Sequence, residues 1–306
     1  MRKEIRHIPA GMINRDEWDG WVRATANRRI SACSMFLDIF APGWGALVLG
    51  SGDAIMPLTV NRKWGISYLF QPVFVQQLGI LMKDAGVDYT DLFLERVSST
   101  YRFSDIALNE MNHPDAGRYH CMNMTNYLLK LDRSYDELVQ GYDTNTLRNI
   151  RKAVRLGVYL RPHEHVNEVI RLFALNGRKL YPNIRSISYS RLEAVLERGL
   201  SDGFVEIRGA FSSGGELIAT LCMLADYDRY VFFFSTNTLE GRNTGAMFLL
   251  VDSFIKQYSG SGRTFDFNGS VNPGMARFYK GFGSKAAIYC RIRINKLPFP
   301  FRLLKR

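Results

Sequence analysis

The sequence predicts an α+β protein built as two domains, each with a central mixed, mostly antiparallel sheet flanked by helices. Three observations lead there. The chain has 306 residues, and a single hydrophobic core rarely grows beyond about 250–300. Three runs with a period of two, Phe204–Phe211, Glu216–Ala225 and Arg229–Thr236, follow one another with only short turns between them, as in an antiparallel meander. The period then changes to a helix, a short strand, a second helix and a last strand, which requires one parallel crossover after the meander.

In chain order, Asn14–Ala26 reads as a helix carrying Trp18, Trp21 and Val22. Gly45–Leu49, Ala54–Thr59 and Ile66–Phe70 read as short strands, with turn chemistry at Gly50-Ser51-Gly52-Asp53 and Asn61-Arg62-Lys63. A helix at Tyr89–Ser98 precedes strands near Tyr101–Leu108 and Tyr119–Leu131. The join falls near Asp132–Tyr142, giving domains 1–138 and 139–306, with the last strand and tail free to pack on the first domain. In the second domain Asn145–Gly157 reads as a helix capped by Thr144 or Asn145, and Val154–Arg161 as a strand. His165–Lys179 and Ser190–Leu200 show helical apolar spacing. After the meander, Glu240–Gly245 reads as a Gly-containing loop into a helix at Ala246–Tyr258. Thr264–Asn268 is a short strand, Pro273–Lys280 a helix with Pro in its first turn, and Ala286–Ile294 the last strand.

Composition narrows the function. Hydrophobic residues are 46% and charged residues 23%, ordinary values for a globular protein. The net charge of +11 is concentrated in two places. Asp143–Arg191 holds ten Lys/Arg against three acids, and Ser284–Arg306 seven against none. Such surfaces attract phosphate-bearing cofactors, RNA or anionic lipid. Cys33, Cys121, Cys222 and Cys290 are widely spaced, which gives neither a disulfide framework nor a zinc cluster. His163 and His165 are the one close histidine pair, so no metal site is expected. There is no apolar leader near Met1 and no apolar run long enough to span a bilayer. A cytoplasmic, reduced setting is the default. Nucleophile-elbow, H-E-x-x-H and Walker patterns are lacking.

Five segments can carry chemistry. Arg242–Met247 opens a helix, whose unpaired N–H groups and dipole suit an anion; Gly245 permits close backbone approach. Thr264–Gly283, TFDFNGSVNPGMARFYKGFG, combines an acidic strand end with an aromatic helix. The helix Asn145–Gly157 sets Leu147, Ile150 and Val154 on one stripe and crowds Arg148, Arg151, Lys152 and Arg155 on the rest, where like charges repel unless an anion relieves them. In Tyr68–Gly79, Gln71, Gln76 and Gln77 interrupt a β-prone run. They either line an acceptor cleft or satisfy buried backbone groups. The tail RIRINKLPFPFRLLKR alternates basic and apolar residues, which suits an edge strand or adsorption to an anionic membrane surface.

The second-half element order and these motifs resemble the GNAT N-acyltransferase fold, and in particular the double-GNAT proteins of Fem type. Asp266, Phe267 and Gly269 match a D-F-x-G strand end. Phe278, Phe282 and Gly283 match an F-K-x-x-F-G helix, with Tyr279 at the family's lysine position and Lys280 one place later. Arg242 and Gly245 match the pyrophosphate loop R-x-x-G-x-G/A, whose final small residue is replaced by Met247. The resemblance implies direct attack of an amine on an activated acyl group. Ser235 and Thr236 would grip the donor arm, and Arg242, Asn243, Thr244, Gly245 and Ala246 its phosphates. Tyr279 would be the general acid, Lys280 an oxyanion ligand, and Asp266 or Glu240 the base. Gln71, Gln77, Arg148, Arg151, Lys152 and Asn268 would meet the acceptor or its anionic groups. Two donors stand, acyl-coenzyme A (acetyl-coenzyme A) and aminoacyl-tRNA. The acceptor would be a small-molecule or cell-wall-type amine. A third reading is a non-catalytic basic binding module.

Overall fold

The computed structural model describes residues 4–177, 186–269, 272–299 and 301–302. They form two compact units, one of residues 1–124 with 288–306 and one of residues 125–287. The division at 124/125 differs from the expected join at 138/139. The reason is a strand, β8 (Cys121–Lys130), whose Leu128–Lys130 pair antiparallel with Thr264–Asp266 of the second unit.

The first unit contains an antiparallel sheet in the order β1 (Ile5–Ile8), β2 (Gly45–Leu49), β3 (Ala54–Leu58), β6 (Leu81–Met82). A further ladder joins β4 (Val60–Lys63), β5 (Ile66–Phe70), β7 (Phe103–Ala107) and β14 (Lys285–Asn295), with β5 and β7 parallel. Helices α1 (Arg15–Ala24), α2 (Ser34–Phe40) and α3 (Thr90–Thr100) flank them. Asn14 caps α1 by accepting from the N–H groups of Asp16 and Glu17. Leu47, Leu49, Met56, Phe93, Leu94 and Ile292 share the core. Cys121 and Cys290, 169 residues apart in sequence, are joined in a disulfide, a single bond that the reading of the spacing as no disulfide framework did not foresee. Cys33 and Cys222 are outside this disulfide.

In the second unit the sheet order is β8, β13 (Thr264–Asp266), β12 (Arg229–Asn237), β11 (Leu217–Asp226), β10 (Val205–Phe211), β9 (Tyr159–Pro162). All neighbours are antiparallel except β12 and β13. The helices are α4 (Tyr135–Val139), α5 (Thr144–Arg155), α6 (Val166–Gly177), α7 (Ser186–Ser201), α8 (Leu239–Thr244), α9 (Ala246–Tyr258) and α10 (Pro273–Lys280). The meander, α9 and α10 lie where the periodicity puts them. Asp143 caps α5 in place of Thr144 or Asn145, since its carboxylate accepts the N–H of Thr146. The strand expected over Val154–Arg161 starts only at Tyr159, because α5 continues through Arg155. Val154 is 61% exposed, so the apolar stripe of α5 narrows to Leu147 and Ile150 around buried Ala153. Lys179, the expected end of α6, lies outside the described residues.

Candidate functional site

The parallel neighbours β12 and β13 stay together for only three residue pairs, Arg229 with Thr264, Tyr230 with Phe265 and Val231 with Asp266. On its other side β12 pairs with β11 along its whole length, from Arg229 with Asp226 to Asn237 with Ala219. That ladder is irregular at Cys222/Met223, where Phe232 pairs with Met223 and Phe234 with Cys222, leaving Phe233 as the extra residue. The two parallel strands therefore fork after Val231. From Phe232 onward the described ladders give β12 a strand neighbour on one side only.

The fork is filled with aromatic rings. Tyr279 of α10 lies 6.0 Å from Phe232, the first β12 residue past the fork, and 4.9 Å from Phe267, the first residue after β13. Tyr127 of β8 is 5.9 Å away on a third side. Tyr279 is 3% exposed. Lys280 is exposed, with its Nζ 5.7 Å from the Tyr127 ring centroid. Pro273 at the first helical position and Asn272, which accepts from Gly274 and Met275, start α10 and so fix its phase. That phase turns Tyr279 inward and Lys280 out.

Asp266 closes the ladder and is committed to structure. Its Oδ2 accepts from Arg229 Nη1 at 2.9 Å, and its Oδ1 from Asn126 Nδ2 at 2.9 Å and the Asn268 N–H at 2.8 Å. Three of the roughly four lone-pair sites of this carboxylate are thus taken by a buried guanidinium and two amides. The geometry gives Asp266, expected as a candidate base, a structural task at the end of the ladder. Asn268 takes φ +58°, a left-handed conformation asparagine tolerates. Glu240 is exposed on α8.

Ser235 pairs with Leu221, and the hydroxyl of Thr236 meets that of Thr220 at 2.9 Å. Beyond them the expected loop at Glu240–Gly245 is a helix, α8, capped by Thr238, whose hydroxyl accepts the Gly241 N–H. Gly245, at φ +82°, ends α8 and begins α9. A Cβ on Gly245 would stand 2.7 Å from the carbonyl oxygen of Asn149 on α5. Ala246 is fully buried and Met247 is 7% exposed. The α9 start is therefore covered by α5, and Gly245 serves helix packing, not the expected phosphate contact. Exposed side chains surround this junction instead. Arg242 and Asn243 project from α8, and Arg148 and Arg151 from α5, with Lys152 half-buried. Arg242 also donates from Nη1 to the Asn237 carbonyl, closing the end of β12.

Gln71 and Gln77 belong to the first unit. Gln71 donates to the Val75 carbonyl and accepts the Ala107 N–H at 2.8 Å, so it ties a loop to β7 and is not free to meet an acceptor. Gln77 is 6% exposed and donates to Gln76. Asn126, Tyr127 and Arg229, which build the fork, were not among the residues singled out from the sequence. The signal available was Asn126, a polar residue inside the β-prone run Cys121–Lys130.

Two other buried titratable clusters lie outside the fork. Tyr135 donates to both oxygens of Asp252 on α9 at 2.9 and 3.1 Å, and burial holds the Asp252 carboxyl above the usual carboxylate range. Glu206 accepts from Tyr258, whose hydroxyl is pushed up to about 12, by burial first and by that carboxylate second. Among the described residues no group of His, Cys, Asp and Glu is placed to hold a metal, and no helix is long and apolar enough to cross a membrane.

Known structures share this architecture. A crystal structure of FemX aligns over 99% of this chain and 99% of its own, with a TM-score of 0.69 and 12% identity. A conserved protein of unknown function from Bacteroides thetaiotaomicron VPI-5482 aligns over 93% and 98%, with 0.60 and 10%. The L-PGS from Bacillus licheniformis aligns over 95% of each chain, with 0.56 and 10%. At such identities the likeness is one of fold: the chain has the Fem-type fold of two tandem GNAT-like halves. No protein-family profile matches the sequence, and no curated protein matches it.

Proposed function

We propose that this protein is an N-acyltransferase that moves an acyl group from acyl-coenzyme A to an amine by direct attack. The fork between β12 and β13, with Tyr279 packed inside it, is the observation that carries this. A donor arm made of amide links can lie along the one-sided stretch of β12 near Ser235 and Thr236 as an added strand does. The donor phosphates would meet Arg242, Arg148 and Arg151. The buried α9 start is unsuited to them.

In the chemical step the amine nitrogen attacks the thioester carbonyl carbon. The C–N bond forms, the carbonyl oxygen gains negative charge, and backbone N–H groups of β12 or Lys280 stabilise it. The C–S bond then breaks, and the thiolate takes the Tyr279 proton as the nitrogen gives its own to solvent. No second carboxylate is required, which agrees with the engagement of Asp266. Positioning supplies most of the acceleration.

A second donor, aminoacyl-tRNA, is favoured by one observation: the exposed arginines of α5, Arg148, Arg151 and Arg155, form a basic face without an acid on the helix, as suits phosphate. Melting the full chain with acetyl-coenzyme A and, separately, with charged tRNA distinguishes the donors. A ligand at 100 times its Kd adds about 2.7 kcal/mol to the folded state, or several degrees. With the active donor, Tyr279→Phe should lower turnover about 10²–10⁴-fold while donor affinity stays within twofold. Unchanged turnover removes Tyr279 from the reaction, and no shift with either donor ends the proposal.

A further inference from the structure

In the first unit a two-residue turn, Trp64-Gly65, joins β4 to β5, since Lys63 pairs with Ile66. Both turn residues have positive φ, 52° at Trp64 and 77° at Gly65. This is the geometry of a type I′ turn, which favours Asn or Asp followed by Gly. A bulky residue in the first position is strained. Trp64 is nevertheless there, and it is 68% exposed. The fold gains little from a strained and largely solvated indole, so its value lies in what it meets outside the chain.

Its surroundings indicate what that is. Lys63 Nζ stands 4.5 Å from the Trp64 ring centroid, and the Phe301 ring 5.6 Å away. Trp64, Tyr68, Leu297 and Phe301 wall an apolar notch of about 260 Å³, with Lys63 at its rim. Phe299, two residues before Phe301, is 81% exposed. Arg62, Lys63, Lys296 and Arg302 are exposed around these rings, and neither residues 60–70 nor residues 284–306 contain an acid. Exposed Trp and Phe with cations that can extend to their own level match the headgroup region of a membrane, where the rings are half dehydrated and the cations meet lipid phosphates.

We infer that the Trp64 hairpin and the adjoining residues 296–299 and 301–302 form a docking surface for an anionic lipid bilayer. The surface is independent of the acyl-transfer proposal, since none of its residues belongs to the fork. It presses the aromatic side chains into the interface and uses the notch and Lys63 for a lipid with an anionic head.

The test is co-sedimentation of the full chain with phosphatidylglycerol/phosphatidylcholine vesicles and with phosphatidylcholine vesicles alone, in low and high salt. Binding should need the anionic lipid and weaken with salt. Trp64→Asn should lower partitioning on the order of tenfold or more, and Lys63→Gln about fivefold. Because Asn-Gly suits the turn, Trp64→Asn should melt no lower than the parent. Should it melt lower, Phe299→Ser decides, since that side chain is already solvated, and a loss of binding of several-fold is expected. Failure of the parent to bind anionic vesicles in low salt overturns the inference. So does salt-sensitive binding that survives both Trp64→Asn and Phe299→Ser, which would be plain attraction of a basic protein.

Discussion

Removing the Asp266 carboxylate separates its structural work from a catalytic role. The Arg229–Asp266 pair is well buried, with side-chain exposures of 10% and 7%. Asp266→Ala leaves the Arg229 guanidinium facing an apolar gap, which typically costs about 3–5 kcal/mol. Asp228, 3.3 Å from Arg229 Nε but 60% exposed, recovers only part of this. Asn126 loses its acceptor as well, and a buried donor left unsatisfied costs about 1–3 kcal/mol. These losses share the same site and do not simply add. A net loss of about 4 kcal/mol corresponds to a fall in Tm on the order of 10 °C for a unit of this size. Replacing both partners, Arg229→Met with Asp266→Leu, should restore more than half of that, because no charge is then left unpaired. Urea unfolding of the parent, both single variants and the pair yields the coupling directly. A stable Asp266→Ala protein that has lost turnover would make Asp266 the base and refute the structural account.

Two further outcomes follow from the same geometry. Gly245→Ala should cost about 2–4 kcal/mol, from an unfavourable φ and from a Cβ against the Asn149 carbonyl. A melting temperature equal to the parent's would show that α5 does not press on that position. His163 is 4% exposed, and burial, the main cause, lowers its pKa below the ordinary histidine value, with Glu168 acting in the opposite direction. The folded state therefore binds the proton less well than the unfolded chain does. Stability is full above about pH 6.5 and falls as the pH drops below it. His163→Gln should flatten the Tm between pH 7 and 5, and an unchanged slope would refute the assignment.

The legibility of the chain followed the strength of local chemistry. α9 and α10 begin where Gly245 and Pro273 stand, and the meander was readable because Ser212-Ser213-Gly214-Gly215 and Asp226-Tyr227-Asp228 punctuate three period-two runs. α8 was hidden because Gly241, Asn243 and Gly245 read as loop formers, although Thr238 three residues before Gly241 was a usable cap signal. α2, SMFLDIF, is too short and too apolar for periodicity to distinguish helix from strand. The Cys121–Cys290 bond has no local signal at all. The fork was legible only as an element order. Asn126, Tyr127 and Arg229, which give it its rings and its ion pair, come from strands whose alternation says which face they occupy but not what they meet.

The Thr264–Gly283 motif divides into two physical tasks, and the division bears on the basic helix. Gly281 and Gly283 do not touch the fork. A side chain on Gly281 would collide with the Thr146 hydroxyl, and one on Gly283 would stand 2.9 Å from the Gly141 carbonyl. The Asp143 N–H donates to the Gly281 carbonyl at 2.9 Å. The start of α5 is thus seated on the end of α10, and its middle, at Asn149, on Gly245. Arg148 and Arg151 are therefore carried on a helix packed against α9 and α10 at both places. Preorganised cations lose less entropy on meeting phosphate than cations on a mobile arm. The repulsion among them would then be a cost of the unliganded fold that the proposed anionic donor removes. Gly245, read in the sequence as a phosphate contact, acts with Gly281 and Gly283 in seating the helix that carries Arg148 and Arg151.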